Sequence, residues 1–282
     1  GTGLPVSALD RSGPGSSMKS LFARLRSALP DDPFLAFDLD PSVLQDAEAA
    51  PGSAVCWRSF HHRSGLRWIT ALAPSPDDPR QAATVVELIA ALVGRAAAHK
   101  ETVHGLTLPR DVLPALPPSL AIRDVDHWDH WYTRSRVRAE ALRTSYRDDP
   151  PVVDLAPDDP RIETLLAIAS PRAPLRPGDP RVVRWAGIED LTVADTHGLV
   201  ALVAVSSEKS GAAHLNDVAT HPARRGQRLA RLLCGQVTND ALAEGRPAVT
   251  LNMYAHNDSA RAVYTALGYT HVSAKCSGRF VV

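Results

Sequence analysis

Three arginines, Arg224, Arg225 and Arg228, crowd a short turn that also holds Gly226 and Gln227. A strand-like run ends just before it at His221-Pro222, where the proline disfavours further ladder pairing. Behind the turn, Leu229, Leu233, Val237 and Ala241 recur every four residues, the stripe of a helix with one buried face. A helix N-terminus carries unpaired backbone N–H groups and a partial positive charge. With arginines beside it, that end suits a phosphate or pyrophosphate. An ordinary strand-to-helix turn with a cationic surface would read the same, so this stretch alone does not decide.

A second stretch follows. Val249–Tyr254 reads as a strand, Asn257 and Asp258 as N-cap residues, and Ala260, Val263, Tyr264 and Leu267 as one helical stripe closed by Gly268 at C′. Tyr264 carries a proton donor, although its place on an apolar stripe equally suits a core tyrosine.

Taken together, the two stretches resemble the GCN5-related N-acetyltransferase (GNAT) family. The first is similar to its acyl-CoA turn, Arg/Gln-x-x-Gly-x-Gly/Ala, with Arg225 and Ala230 in place and Arg228 where the central glycine stands. The second fills Asn-x-x-Ala-x-x-x-Tyr-x-x-x-Gly-Phe/Tyr with Asn257, Ala260, Tyr264, Gly268 and Tyr269. The resemblance implies that acetyl-CoA is the co-substrate, with its pantetheine arm along the backbone of Val218, Ala219 and Thr220. Its pyrophosphate would lie on the amides of Arg225, Gly226, Gln227, Arg228, Leu229 and Ala230. Asn257 would bridge the motif strand to the cofactor, and Tyr264 would protonate the departing thiolate. An alkylammonium acceptor must lose a proton before it attacks a thioester. Asp217, His214 and Glu189 are the candidate bases, and strand alternation decides which of them face the cleft.

The elements that must hold these residues are an α/β mixture. In the C-terminal half the order is a strand at 152–155, a helix opened by Asp158-Asp-Pro160, a Pro/Arg-rich loop over 170–180, strands at 182–188 and 199–206, then the motifs. This is the order of a complete GNAT fold. The N-terminal half predicts a helix over 19–29, a strand over 34–39, a helix over 42–49, strands at 54–60 and 66–73, and a long helix from Pro76-Asp-Asp-Pro-Arg80. A strand at 104–108, a helical turn at 111–116 and a strand at 120–125 complete it. Strand, long helix, strand, helical turn and strand then occur in both halves, which suggests a tandem repeat with a degenerate first copy. An unrelated supporting α/β unit fits the same order. Two aspartates replace the arginine turn in that copy and would repel a pyrophosphate. The tandem arrangement resembles that of the mycothiol synthases. The expected organisation is a flexible leader over 1–17, a GNAT-like N-terminal domain over 18–147 and a catalytic domain over 148–282.

Residues 126–138, with Trp128, Trp131 and Tyr132, are expected to cross between the halves. His127 and His130, spaced like metal ligands on a helix, are expected at a surface or interface, as are His61 and His62, and no metal is expected. The 31 basic and 31 acidic residues balance, which argues against a nucleic-acid or membrane partner. No uninterrupted apolar run reaches the ~20 residues of a membrane helix. The leader lacks the apolar segment of a signal peptide. Three scattered cysteines, Cys56, Cys234 and Cys276, fit a reducing cytoplasm better than a disulfide framework. The partner implied is a small-molecule or peptide amine, in a direct-attack N-acetyltransferase. Two alternatives stand beside it: a CoA-binding sensor without turnover, and a purely structural repeat.

Overall fold

The computed structural model describes residues 17–146 and 148–281. The expected leader over 1–17 falls outside them except for Ser17, which caps the first helix by accepting the backbone N–H of Ser20 at 3.2 Å.

In chain order the first half contains α1 (Met18–Ala28), β1 (Leu44–Ala50), β2 (Ala54–His61), β3 (Leu66–Leu72), α2 (Pro79–Ala98), β4 (Gly105–Pro109) and β5 (Ile122–Thr133). The second half contains β6 (Val153–Leu155), α3 (Pro160–Ala169), β7 (Val182–Glu189), β8 (Leu199–Ser207), β9 (Ala213–Thr220), α4 (Leu229–Ala243), β10 (Val249–Tyr254), α5 (Asp258–Ala266) and β11 (Thr270–Phe280). The long helices start where their caps predict. Asp78 and Asp159 each accept the N–H two residues on at 2.9 Å, with proline at the first helical position.

All the described strands join one mixed 11-stranded sheet in the order β1-β2-β3-β4-β11-β5-β10-β9-β8-β7-β6. The order is nearly palindromic. β3 and β4 run parallel, bridged by α2, as β9 and β10 do, bridged by α4. Each half then gives its last strand away: β5 pairs with β10, β11 pairs with β4, and β5 and β11 pair with each other at the centre. In the first half α1 and α2 cover opposite faces; in the second, α3 and α4 do. The core is therefore four apolar clusters rather than one, one under each of α1 to α4, with α5 sharing that of α4.

α2 alone among the described helices is long and apolar enough to cross a membrane, with a mean hydropathy of 1.4. It lies instead along the sheet, where Val85, Ile89 and Leu92 are fully buried.

Two expectations fail, one because tertiary pairing overrides local pattern and one because a local cap does. The segment 42–49 is not a helix: Pro41–Val43 makes a 3₁₀ turn and Leu44–Ala50 is the edge strand β1. Its Asp46 and Glu48 pair with Arg95 of α2, so the charges that read as a helix face serve as strand-to-helix bridges. The segment 34–39 is not a strand but a single wide helical turn, Phe34–Asp38, begun by Asp32 accepting the N–H of Leu35 at 3.0 Å. Residues 126–138 do cross between the halves, but not as a linker: 126–133 continue the strand expected at 120–125 into β5, which pairs with β10 and β11, and Val137 then bonds Asn239 of α4. β5 is exposed over much of 123–127 and buried from Asp129 to Trp131, so no period-two alternation marks it in the sequence.

Candidate active site

β9 and β10 are paired only at Ala213 with Val249, His214 with Thr250, and Leu215 with Leu251. Beyond that point they part, because β9 bends. Leu202 and Ala204 of β8 face Ala219 and Asn216, so two residues, Asp217 and Val218, stand opposite Val203 alone. This is a β-bulge, and Asp217 adopts φ +54° to make it. The edge of β9 that faces the gap has no strand beyond Leu215, while its other edge stays bonded to β8 through Thr220.

The gap leads to the turn. Gly226 has φ +77° with open space around it, so glycine is required there by conformation rather than by crowding. Arg228, at the family's glycine position, also lies in the left-handed region at φ +65° and precedes α4 without making a side-chain cap. The first amides of α4 are thus left without a side-chain acceptor. Arg224 is occupied: its guanidinium holds Asp190 at 2.8 Å and donates to Thr192. Arg225 reaches only the carbonyls of Thr220 and Ala169, Arg231 only that of Arg143, and the Arg228 side chain is exposed. Among the described residues no carboxylate pairs with these three. The Arg228 charge adds to burial in lowering the pKa of Arg231, as expected of cations gathered without a counterion.

The expected cofactor residues other than Asn257 therefore lie along one stretch, from the end of β9 to the start of α4. Val218, Ala219 and Thr220 form the splayed arm of β9; Arg225, Gly226, Gln227, Arg228, Leu229 and Ala230 lead from it into α4. Asn257 caps α5, its Oδ1 accepting the N–H of Ala260 at 3.1 Å. Tyr264 is buried, 5% exposed, between α5 and α4. Its hydroxyl meets the Cys234 thiol, and burial pushes its pKa well up. Tyr269 packs 5.6 Å away and shares a hydrogen bond with Thr238 at 2.7 Å.

The three candidate bases separate by environment. Glu189, at the end of β7, is held by Arg161 at 2.8 Å. His214 is enclosed, with Nδ1 2.7 Å from the Thr250 hydroxyl. Asp217 stands at the bulge, accepts the N–H of Leu175 at 3.1 Å, and has its pKa raised by burial to about 6. Of the three, Asp217 stands at the bulge itself with a pKa suited to accepting a proton near neutrality; the His214 pKa is raised as well, by Asp38 against the effect of burial.

Of the two places expected for His130, a surface or an interface, the structure shows the second: it is fully buried on β5, opposite Asn252 of β10 where the two halves pair. It belongs to a polar group under the 34–38 turn, with Asp38, Thr250, Asn252 and His214. Sequence reasoning missed Asp38, Thr250 and Asn252. The alternation of Thr250, Asn252 and Tyr254 with Val249, Leu251 and Met253 was the available sign that β10 has a polar face. A cavity of about 710 Å³ lies by Arg184 and Asp240, toward the C-terminal end of α4 and away from the turn.

Residues 139–269 match the model of the acetyltransferase (GNAT) family, so the C-terminal half holds a GNAT domain. The whole chain is similar in fold to a GCN5-related N-acetyltransferase from Sphaerobacter thermophilus, at 14% identity and a TM-score of 0.55, covering 93% of this chain and 91% of that one. It is likewise similar to one from Kribbella flavida, at 17% identity and a TM-score of 0.51, covering 95% and 96%. A tandem GNAT protein from the clavulanic acid biosynthesis pathway aligns over 93% of this chain and 94% of its own, at 14% identity and a TM-score of 0.49. No curated protein matches. At these identities the structural likeness is one of fold. Family and fold together indicate an acyl-CoA-dependent N-acyltransferase.

Proposed function

We propose that the protein transfers an acetyl group from acetyl-CoA to a primary amine, on a small molecule or a peptide, within residues 148–282. Residues 18–147 would help to shape the acceptor side, and the cytoplasm would be the site of action. The observation that carries this reading is the parting of β9 from β10 after Leu215 and Leu251, with a bulge at Asp217 and a basic, uncapped helix start beyond it. The free edge of β9 offers backbone groups to the pantetheine amides. The first amides of α4, with Arg225, Arg228 and Arg231, suit the pyrophosphate and 3′-phosphate.

In the proposed reaction the neutral amine attacks the thioester carbonyl, a C–N bond forms and the C–S bond breaks. The amine's proton passes to Asp217, and the thiolate takes a proton from Tyr264. No step calls for a metal. Acetyl-CoA binding measured by calorimetry tests the site: the wild type should bind, and Arg225→Glu should abolish binding without loss of fold. Tyr264→Phe keeps the core filled and should lower kcat by about 10²–10⁴-fold with KM little changed. A well-folded wild type that binds no acetyl-CoA would sink the reading.

The buried phenol of Tyr264 and the arginine in the glycine position favour a second reading, a CoA-binding sensor. It predicts tight binding and no transfer to any amine in a broad panel.

A further inference from the structure

The first half keeps a gap of its own. β3 and β4 are paired only from Trp68 with Gly105 to Thr70 with Thr107, as short a ladder as that between β9 and β10. β4 then ends at Pro109, and β11 pairs with it only from Lys275 onward. Among the described residues, no strand lies against 270–274 of β11 on that side. A cavity of about 570 Å³ opens there, a size that suits a small molecule. Leu29, Pro30, Leu72, Pro74 and Pro109 give it apolar walls. It is not a second phosphate site. Asp78 caps α2 by accepting the N–H of Arg80, whereas the start of α4 has no side-chain cap.

Ser273 and Lys275 both line this cavity, two residues apart on one face of β11. Lys275 is fully buried, with Nζ 3.6 Å from the ring centroid of Phe34 and 4.9 Å from that of Trp128. Neither its Nζ nor the Ser273 Oγ has a hydrogen-bond partner. The rings favour the positive charge but leave its N–H donors without an oxygen. Asp32 and Asp38 act on the ammonium only through space, and the Asp32 Oδ1 accepts the N–H of Leu35 at 3.0 Å. Buried donors without an acceptor are costly. A carboxylate brings two oxygens, one for each of them. Asp32 and Asp111 line the same cavity, and their charge opposes a multiply charged anion and favours an ammonium.

We propose that this cavity binds a free amino acid with an apolar side chain. Its carboxylate would lie on Lys275 and Ser273, its ammonium toward Asp32 and Asp111, and its side chain against the leucines and prolines. The inference does not rest on acyl transfer.

Calorimetry on the full chain with L-leucine and L-phenylalanine tests it. Both should bind. Leucinamide, which lacks the carboxylate, and isocaproate, which lacks the ammonium, should bind about tenfold or more weakly. Lys275→Met keeps the bulk of the side chain and should abolish binding with an unchanged far-ultraviolet dichroism; Ser273→Ala should weaken it about tenfold. A wild type that binds neither amino acid overturns the proposal, and so does isocaproate binding as tightly as leucine. Wild-type affinity in Lys275→Met would place the ligand elsewhere and overturn it too. Should that variant fail to fold, Ser273→Ala decides, and undiminished affinity there counts against the site.

Discussion

The carboxylate of Asp217 accepts the backbone N–H of Leu175 at 3.1 Å, joining the bulge of β9 to the loop that follows α3. The contact fixes the carboxylate at the mouth of the gap, and burial there raises its pKa to about 6 from the ordinary 3.8. As a base it works when deprotonated, so kcat/KM should rise with pH through about 6 and then level. Asp217→Asn keeps an acceptor for Leu175 but cannot take a proton, and should lower kcat/KM by about 10²-fold or more across that range. Stability runs the other way. A raised carboxyl pKa contributes stability below the unfolded value near 4, and that contribution is lost as pH rises through 6. Asparagine never ionises, so the variant should melt ~2 °C above the wild type at pH 8 and level with it at pH 4. A variant with full activity would remove Asp217 from the reaction.

Arg228 holds φ +65° without a side-chain cap, in a region that costs an L-residue about 1 kcal/mol or more. Glycine takes the same conformation freely, although it gains entropy in the unfolded chain. Arg228→Gly should therefore raise stability by about 0.5–1 kcal/mol, read as a higher urea midpoint with an unchanged slope. A lower midpoint would mean that the exposed guanidinium makes a stabilising contact with its surroundings.

What could be read from the sequence follows the range of the interactions involved. β10 begins and ends at the expected residues, Val249 and Tyr254. Asn257 caps α5 as expected, Gly268 closes it with φ +83°, and the Leu229–Ala241 stripe is buried throughout. Caps, turns and helical stripes are written within a few residues of themselves. β5 was legible only over its first residues, 122–125, since the partners that extend it to Thr133 are the last strand and β10 of the other half. Asp38 was not legible, because it meets Thr250 across 212 positions. The bulge at Asp217 leaves no local signature, as an aspartate in the left-handed region looks like any other in sequence.

Gly235 in α4 tests the packing around the site. A Cβ there would stand 2.3 Å from Leu142 and 2.9 Å from Leu267, which bring the 139–142 turn and the end of α5 against the helix. Alanine is the better helix former by nearly 1 kcal/mol, so propensity alone predicts stabilisation. Overpacking should win: Gly235→Ala should cost about 1–3 kcal/mol net in chemical denaturation. A more stable variant would show that the turn and α5 yield at little cost.

The exchanged strands make a prediction about the halves themselves. β10 is hydrogen-bonded along its length to β5, from Val249 with Thr133 to Tyr254 with Trp128, while β11 holds β4 from Lys275 with Pro109 to Arg279 with Gly105. A chain of residues 148–282 alone would keep β6 to β11 but lose β5, baring one whole edge of β10. β11 would lose its partners on both sides, and Trp131, packed against the α4 face, would be gone. Such a chain should not fold as a monomer, and in size-exclusion chromatography it should aggregate, or dimerise by pairing the bared strands of two copies. Adding residues 18–147 as a separate chain should restore a soluble one-to-one complex with native far-ultraviolet dichroism. A monomeric, cooperatively melting 148–282 fragment would show that β11 can swing across to pair with β10 directly. The exchange would then be one of two arrangements open to the C-terminal half.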